Sequence, residues 1–108
     1  MAKKTPAHTV APSLVAERLQ SWGMCVRKQR IAQRITARDL CDRLGISHPT
    51  LQRMERGEFT VSAGAYLAAL NVLGVLEHAA PAIRNDIWHM DNPAGRARPE
   101  TGHDDEYF

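Results

Sequence analysis

The sequence predicts an all-α domain of five helices. Three observations carry that expectation. Apolar residues recur at three- and four-residue spacing through most of 13–90. Capping and stop residues punctuate the chain at helical intervals, with Ser13, Thr36, Ser47 and Ser62 ahead of apolar runs and Gly45, Gly57 and Gly74 behind them. No stretch reads as a credible strand. A chain of 108 residues suits one domain. The expected division is an arm at 1–12, a folded domain at 13–90 and a tail at 91–108. A folded part of about 75–80 residues builds an adequate but marginal core, which oligomerisation would help.

Residues 1–12 combine Lys3, Lys4, Pro6 and Pro12 with small residues and no apolar period, the pattern of a disordered arm. Ser13 can cap a first helix running to about Gln33. Val15, Leu19, Trp22 and Val26 form its apolar stripe. Trp22 suits a core or interface anchor. Gly23 inside the helix costs about 1 kcal/mol against Ala, so it marks a bend or close packing.

Thr36 to Gly57 is the stretch around which the rest is arranged. Thr36-x-x-Asp39 is a variant capping box. Leu40 and Leu44 face inward, Gly45 stops the helix in a left-handed turn, and Ile46 plugs that turn into the core. Ser47 caps the next helix, with Pro49 in its first turn where a missing amide does no harm. Leu51 and Met54 face inward, and Gly57 closes a helix of about ten residues. Its outer side and N-terminal end carry His48, Pro49, Thr50, Gln52, Arg53 and Arg56, a length and polarity suited to a major groove about 12 Å wide. An ordinary helical hairpin with a solvated face is the plain alternative.

Ser62 can cap a fourth helix, Ala63 to Leu73, with Gly74 as its stop. A fifth starts at Leu76 and is interrupted or restarted at Pro81. Ile83, Ile87 and Trp88 supply the apolar face of its last part. The run from Asp91 is rich in Pro and Gly and ends in three acids and two aromatics, Asp104 to Phe108: a solvated tail, or a short motif for a protein partner.

Charge is uneven. Residues 1–60 hold 11 Lys/Arg against 5 Asp/Glu, and residues 61–108 hold 3 against 7. A basic front half suits a polyanion. No stretch reaches the roughly 18 apolar residues of a membrane span, and the N-terminal residues lack the apolar core of a secretory signal, so a cytoplasmic location is expected. Cys25 and Cys41 have no metal or CxxC spacing and read as reduced packing residues. The five histidines form no metal motif, and no phosphate loop or nucleophile elbow is present. No enzyme, cofactor, metal or small-molecule ligand is expected.

From Gly23 to Leu73 the chain resembles the Cro/repressor-like, Xre-type helix-turn-helix regulators. The resemblance rests on Val26-Arg27-x-x-Arg30, Thr36-x-x-x-Leu40, Leu44-Gly45-Ile46-Ser47, Thr50-Leu51-x-Arg53-Met54-Glu55-Arg56-Gly57, and Ser62 ahead of an apolar helix. It implies a lambda-repressor-like fold and a transcriptional repressor that binds double-stranded DNA as a homodimer on an inverted repeat. By position it implies base reading by His48, Pro49, Gln52 and Arg53. It implies DNA-backbone contacts by Ser47, Thr50 and Arg56, and an internal salt bridge between Arg30 and Glu55. Arg34 stands where the family usually has Gly, and Ala37 where it usually has a phosphate-binding Gln; Arg34 or Arg38 is the substitute for that contact.

A narrower likeness, Ser62-x-x-x-x-Leu67-x-x-Leu70-x-x-Leu73-Gly74 with Asp91-x-Pro93-x-Gly95-Arg96, is to small antitoxins encoded beside HipA-type kinase toxins. It implies a toxin kinase as a further partner and an autoregulated operon. The dimer surface is expected from Leu70 to Trp88. The competing class is a protein-interaction adaptor that uses the same helices without DNA.

Overall fold

A computed structural model describes residues 13–89; the predicted arm at 1–12 and tail at 91–108 lie outside the described residues. Six helices follow in order: α1 (Ser13–Ala32), α2 (Ala37–Leu44), α3 (His48–Glu55), α4 (Ala63–Val72), α5 (Leu76–Ala79) and α6 (Asn85–Trp88). The described residues contain no strand. The expected fifth helix is thus two short ones, separated by an extended stretch at 81–84. Pro81 is the reason: it offers no amide to an upstream carbonyl, and its ring disfavours helical geometry at Ala80.

Local chemistry sets the boundaries. Thr36 Oγ1 accepts from the Asp39 amide at 3.0 Å, so half of the expected capping box forms. The Asp39 carboxylate does not take the other half; it accepts from Arg43 Nη2 at 3.1 Å, one helical turn on. Gly45 ends α2 in the left-handed region, and its amide and that of Ile46 both return to the Cys41 carbonyl. Ser47 caps α3 by accepting from the Thr50 amide, and Ser62 caps α4 by accepting from the Ala65 amide.

The core lies where α1, α2, α3 and α4 meet. Val26, Leu40, Leu51, Met54, Tyr66, Ala69 and Leu70 are at most 1 % exposed, with Cys41, Val61 and Leu73 beside them. Leu44, Ile46, Leu19 and Trp22 are half-buried against this cluster. Trp22 stacks obliquely on Tyr66, centroids 5.8 Å apart, and its indole N–H donates to the Ala79 carbonyl. The Tyr66 hydroxyl donates to the Glu58 carbonyl at 2.8 Å.

Three expectations change. Leu70 and Leu73 belong to the core of one copy and are not available as dimer surface. The apolar stripe of α1 is buried only towards its C-terminal half. Leu14 and Val15 are exposed, because a 20-residue helix outruns the shorter helices that cover it. Helix α3 has eight residues rather than about ten.

Two glycines, Gly23 and Gly57, explain how α3 is held. A β-carbon on Gly23 would lie 2.3 Å from the Met54 carbonyl oxygen, and one on Gly57 would lie 2.6 Å from the Gln20 Cα. The end of α3 therefore rests directly on the backbone of α1. Gly23 marks close packing, and α1 runs through it as one continuous helix.

Candidate nucleic-acid interface

The three-residue turn Gly45-Ile46-Ser47 sets α3 against α2, and the glycine contact above seats the far end of α3 on α1. Leu51 and Met54 take its inner side. That leaves Ser47, His48, Pro49, Gln52 and Arg56 exposed, and Thr50 and Arg53 half-buried beside them. All seven sit on one element or its caps.

Beneath this surface Arg30 and Glu55 meet. Arg30 Nε donates to Glu55 Oε2 at 2.8 Å and Nη2 to Oε1 at 3.3 Å, a two-toothed contact with both side chains about nine-tenths buried. Arg30 Nη1 also donates to the Ile35 carbonyl. One guanidinium thus ties α1, the loop before α2 and the last residue of α3. Arg27 Nη1 stands 3.9 Å from the same carboxylate, from the solvent side.

Each outward group has its own setting. Ser47 Oγ and Thr50 Oγ1 are 2.9 Å apart, and Arg53 Nη2 reaches Thr50 Oγ1 at 3.5 Å, so the three form a short polar row from the N-cap along α3. His48, Pro49 and Gln52 stand clear of it. Arg56 is already engaged: its Nε donates to Glu58 Oε2 at 3.0 Å and its Nη2 lies 2.9 Å from the same oxygen. That acid was not anticipated, although an acid two residues after a basic one is a readable signal. Arg34 and Arg38 are exposed in the loop before α2 and in its first turn, away from α3 in sequence but joined to it through Arg30.

Arg34 has a second peculiarity. It is the one residue other than Gly with a positive φ, at 61°, among the described residues. Its amide donates to the Ile31 carbonyl and the Ile35 amide to the Arg30 carbonyl, so the loop ends α1 in the left-handed manner glycine adopts cheaply. The resemblance to Xre-type regulators marks this position, since it puts Arg34 where they usually have Gly. Gln33 anchors the same loop, its amide nitrogen donating to the Leu73 carbonyl at 2.8 Å.

The buried cysteine behind the site is a packing group. Burial, then the nearby Asp42 and Glu55 carboxylates, push the Cys41 thiol up, and Arg30 only partly opposes them. Such a thiol stays protonated and packs. No group of three or more metal-ligating side chains occurs among the described residues.

The family model of a helix-turn-helix domain matches residues 23–82. The chain belongs to the helix-turn-helix domain family. The match begins at the glycine that admits α3 onto α1 and ends just past α5, so it takes in the second half of α1 and all of α2 to α5. No curated protein and no solved structure matches the chain. Membership in a helix-turn-helix family points to DNA as the partner, and α3 is the second helix of the pair, the one that such domains lay in the major groove. Among the described residues no helix is long and apolar enough to cross a membrane.

Proposed function

We propose that this helix-turn-helix protein is an Xre-type, lambda-repressor-like transcriptional repressor. It binds an inverted-repeat operator as a dimer and regulates its own transcription in the cytoplasm. The observation that carries this reading is the support of α3. Its inner face is fixed by Leu51, Met54 and the Arg30–Glu55 contact, while Ser47, His48, Pro49 and Gln52 stay exposed on the outside. A rigid helix with a polar, cap-accessible outer face is what base reading needs.

The roles divide by chemistry. Arg53 offers a two-toothed contact to guanine O6 and N7, Gln52 pairs with adenine, and His48 and Pro49 meet base edges at the N-terminal end. Ser47 and Thr50, at the positive end of α3, take a phosphate oxygen. Arg34, Arg38 and Arg56 supply further phosphate contacts.

Gel shifts on the DNA upstream of the protein's own gene test this. Arg53→Ala is expected to cost about 1–3 kcal/mol on the operator and to flatten its preference over shuffled DNA. Equal weakening on every sequence would remove Arg53 from base reading, and no shift at low salt on any DNA would favour the adaptor class. The finer reading adds a HipA-type kinase toxin as protein partner. It rests on the pattern Ser62 to Gly74 and on Asp91 to Arg96, the latter outside the described residues. Co-purification with a neighbouring kinase-like gene product, lost on deleting 91–108, is the outcome expected of it.

A further inference from the structure

Arg53 differs from the arginines that meet acids in this domain. Arg27, Arg30, Arg43, Arg56 and Arg84 each stand against a carboxylate. Among the described residues no acid lies within ion-pair distance of Arg53. Its guanidinium meets a neutral group instead, with Nη2 3.5 Å from Thr50 Oγ1. The Glu58 carboxylate, just past the end of α3, is held by Arg56. Thr50 and Arg53 are three positions apart on α3, so their side chains are neighbours on one face. A long helical side chain leans back over the preceding turn. Both residues are half-buried, while Gln52 beside them is exposed. The arm of Arg53 thus lies along α3 towards its N-terminal end.

The Thr50 hydroxyl is itself fixed. Its oxygen is 2.9 Å from Ser47 Oγ, and the Thr50 amide donates to that same Ser47 oxygen at 3.2 Å. A guanidinium only donates, so Thr50 Oγ1 is the acceptor for Arg53 whichever way the hydroxyl pair is oriented. Of the two hydroxyl hydrogens, one lies between the oxygens and one is left over. Ser47 and Thr50 together therefore present one hydroxyl donor, which suits the single phosphate oxygen proposed for them, and Thr50 keeps a lone pair for Arg53. At 3.5 Å that last bond is at the long end of the range, so it steers the guanidinium without locking it. A carboxylate in the same place would hold the arm more tightly, but it would cancel the charge and repel DNA.

We infer that Thr50 is the positioning residue for Arg53. Its hydroxyl, set by Ser47, holds the guanidinium along α3 before DNA arrives, so the two-toothed contact with guanine forms from an arm already placed. Thr50 thereby determines sequence preference through Arg53 and touches no base itself. The inference rests on the base reading proposed for Arg53 and names what directs it. Placement matters because an arginine side chain has many rotamers. An arm that is not placed has to be ordered on binding, and it reaches other base edges and phosphates as readily as the guanine.

The test starts from a pool of random DNA duplexes, from which the unmodified full chain selects its preferred sequence. Each G·C pair of that duplex is then replaced by A·T, and the ratio of Kd values after and before is the discrimination at that pair. The pair at which Arg53→Ala loses discrimination is the one that Arg53 reads. At that pair Thr50→Val is expected to lower the discrimination by about 3- to 10-fold, the size of one hydrogen bond. Salt dependence is expected to stay unchanged, because no charge is removed. Thr50→Ala is expected to act in the same way, and Thr50→Ser, which keeps the hydroxyl, to restore the discrimination of the unmodified protein. Thr50→Val added to Arg53→Ala is expected to change nothing further at that pair. The Ser47 cap on the Thr50 amide does not use the Thr50 hydroxyl, so melting curves are expected to stay close to the unmodified protein. Discrimination kept in both Thr50→Val and Thr50→Ala overturns the inference alone, with Arg53 still the reader. Equal weakening on every duplex overturns it too and makes Thr50 a phosphate ligand only. So does a failure of Thr50→Ser to rescue, or a further fall in the double variant, which would put Thr50 on the base itself. A pool that yields no preferred sequence, or an Arg53→Ala protein that keeps every preference, overturns the base reading and the inference with it.

Discussion

A β-carbon at position 23 has nowhere to go: the Met54 carbonyl oxygen would be 2.3 Å away, the Gly57 amide nitrogen 2.9 Å and the Glu55 carbonyl oxygen 3.0 Å. All three are backbone atoms, so no rotamer change relieves the clash. Gly23→Ala gains about 1 kcal/mol of helix propensity but must push α3 off α1, and overpacking of that kind costs about 1–3 kcal/mol or more. The expected net result is a lower urea midpoint and weakened DNA binding, although residue 23 touches no DNA. A Gly23→Ala protein more stable than the parent would show that α3 is not seated there. Arg34 makes the opposite case. At φ 61° an arginine stores about 1 kcal/mol that glycine would not. Arg34→Gly is therefore expected to raise stability by about 0.5–1 kcal/mol, part of the relief being returned as unfolded-chain entropy. If the side chain holds a phosphate, operator affinity falls in the same variant. A joint thermal melt and binding titration reads both signs, and a loss of stability would contradict the strain argument. The sequence made Gly23 conspicuous without deciding between a bend and a contact, because the partner atoms lie some thirty residues away in α3.

At the scale of elements, the two-helix unit was legible almost residue by residue. Thr36, Gly45, Ser47, Pro49 and Gly57 act through neighbours within four positions, and local chemistry of that range can be read from order alone. The rest needed tertiary information. Whether the first stripe of α1 is buried depends on how far α3 and α4 reach along it, although the split of the fifth helix is again local, at Pro81. Tyr66 in α4 shows how such burial becomes measurable. Its phenol is fully enclosed, donates to the Glu58 carbonyl, and is pushed up to about 12, first by burial and second by the Glu58 carboxylate. The folded-state value lies above the ordinary value near 10, so the neutral phenol stabilises the fold fully below pH 10. That contribution is lost as pH rises from about 10 to about 12. Urea midpoints across this range are expected to fall more steeply for the parent than for Tyr66→Phe. The variant starts about 1 kcal/mol lower for want of one hydrogen bond. Parallel curves would mean that the phenol is reached by solvent.

Across the whole molecule the basic residues are gathered in the front half, 11 of them before residue 61, yet they are not equivalent as phosphate ligands. Arg30 is spent inside the fold on Glu55, and Arg43 is paired with Asp39. Arg56 stands at the end of α3 with Glu58 Oε2 on two of its nitrogens. To bind a phosphate, Arg56 must share its charge with that acid, and the acid itself faces the approaching polyanion. If Arg56 holds a phosphate as proposed, Glu58 is a brake on affinity, and composition alone hides it because the chain's net charge of +2 averages over such pairs. The pair is solvent-exposed, so Glu58→Gln is expected to cost little stability, well under 1 kcal/mol. The Tyr66 hydrogen bond is to the backbone carbonyl and survives the change. On DNA the effect is expected to be larger. Freeing one guanidinium per protomer adds about 0.9 to the magnitude of the slope of log K against log salt for each phosphate gained. Affinity should rise on operator and shuffled DNA alike, because phosphate contacts carry no sequence information. Arg56→Ala in the Glu58→Gln background should abolish the whole gain. A salt slope that Glu58→Gln leaves unchanged would place Arg56 off the DNA, and would shift the backbone contacts of this domain to Arg34 and Arg38 at the other end of the two-helix unit.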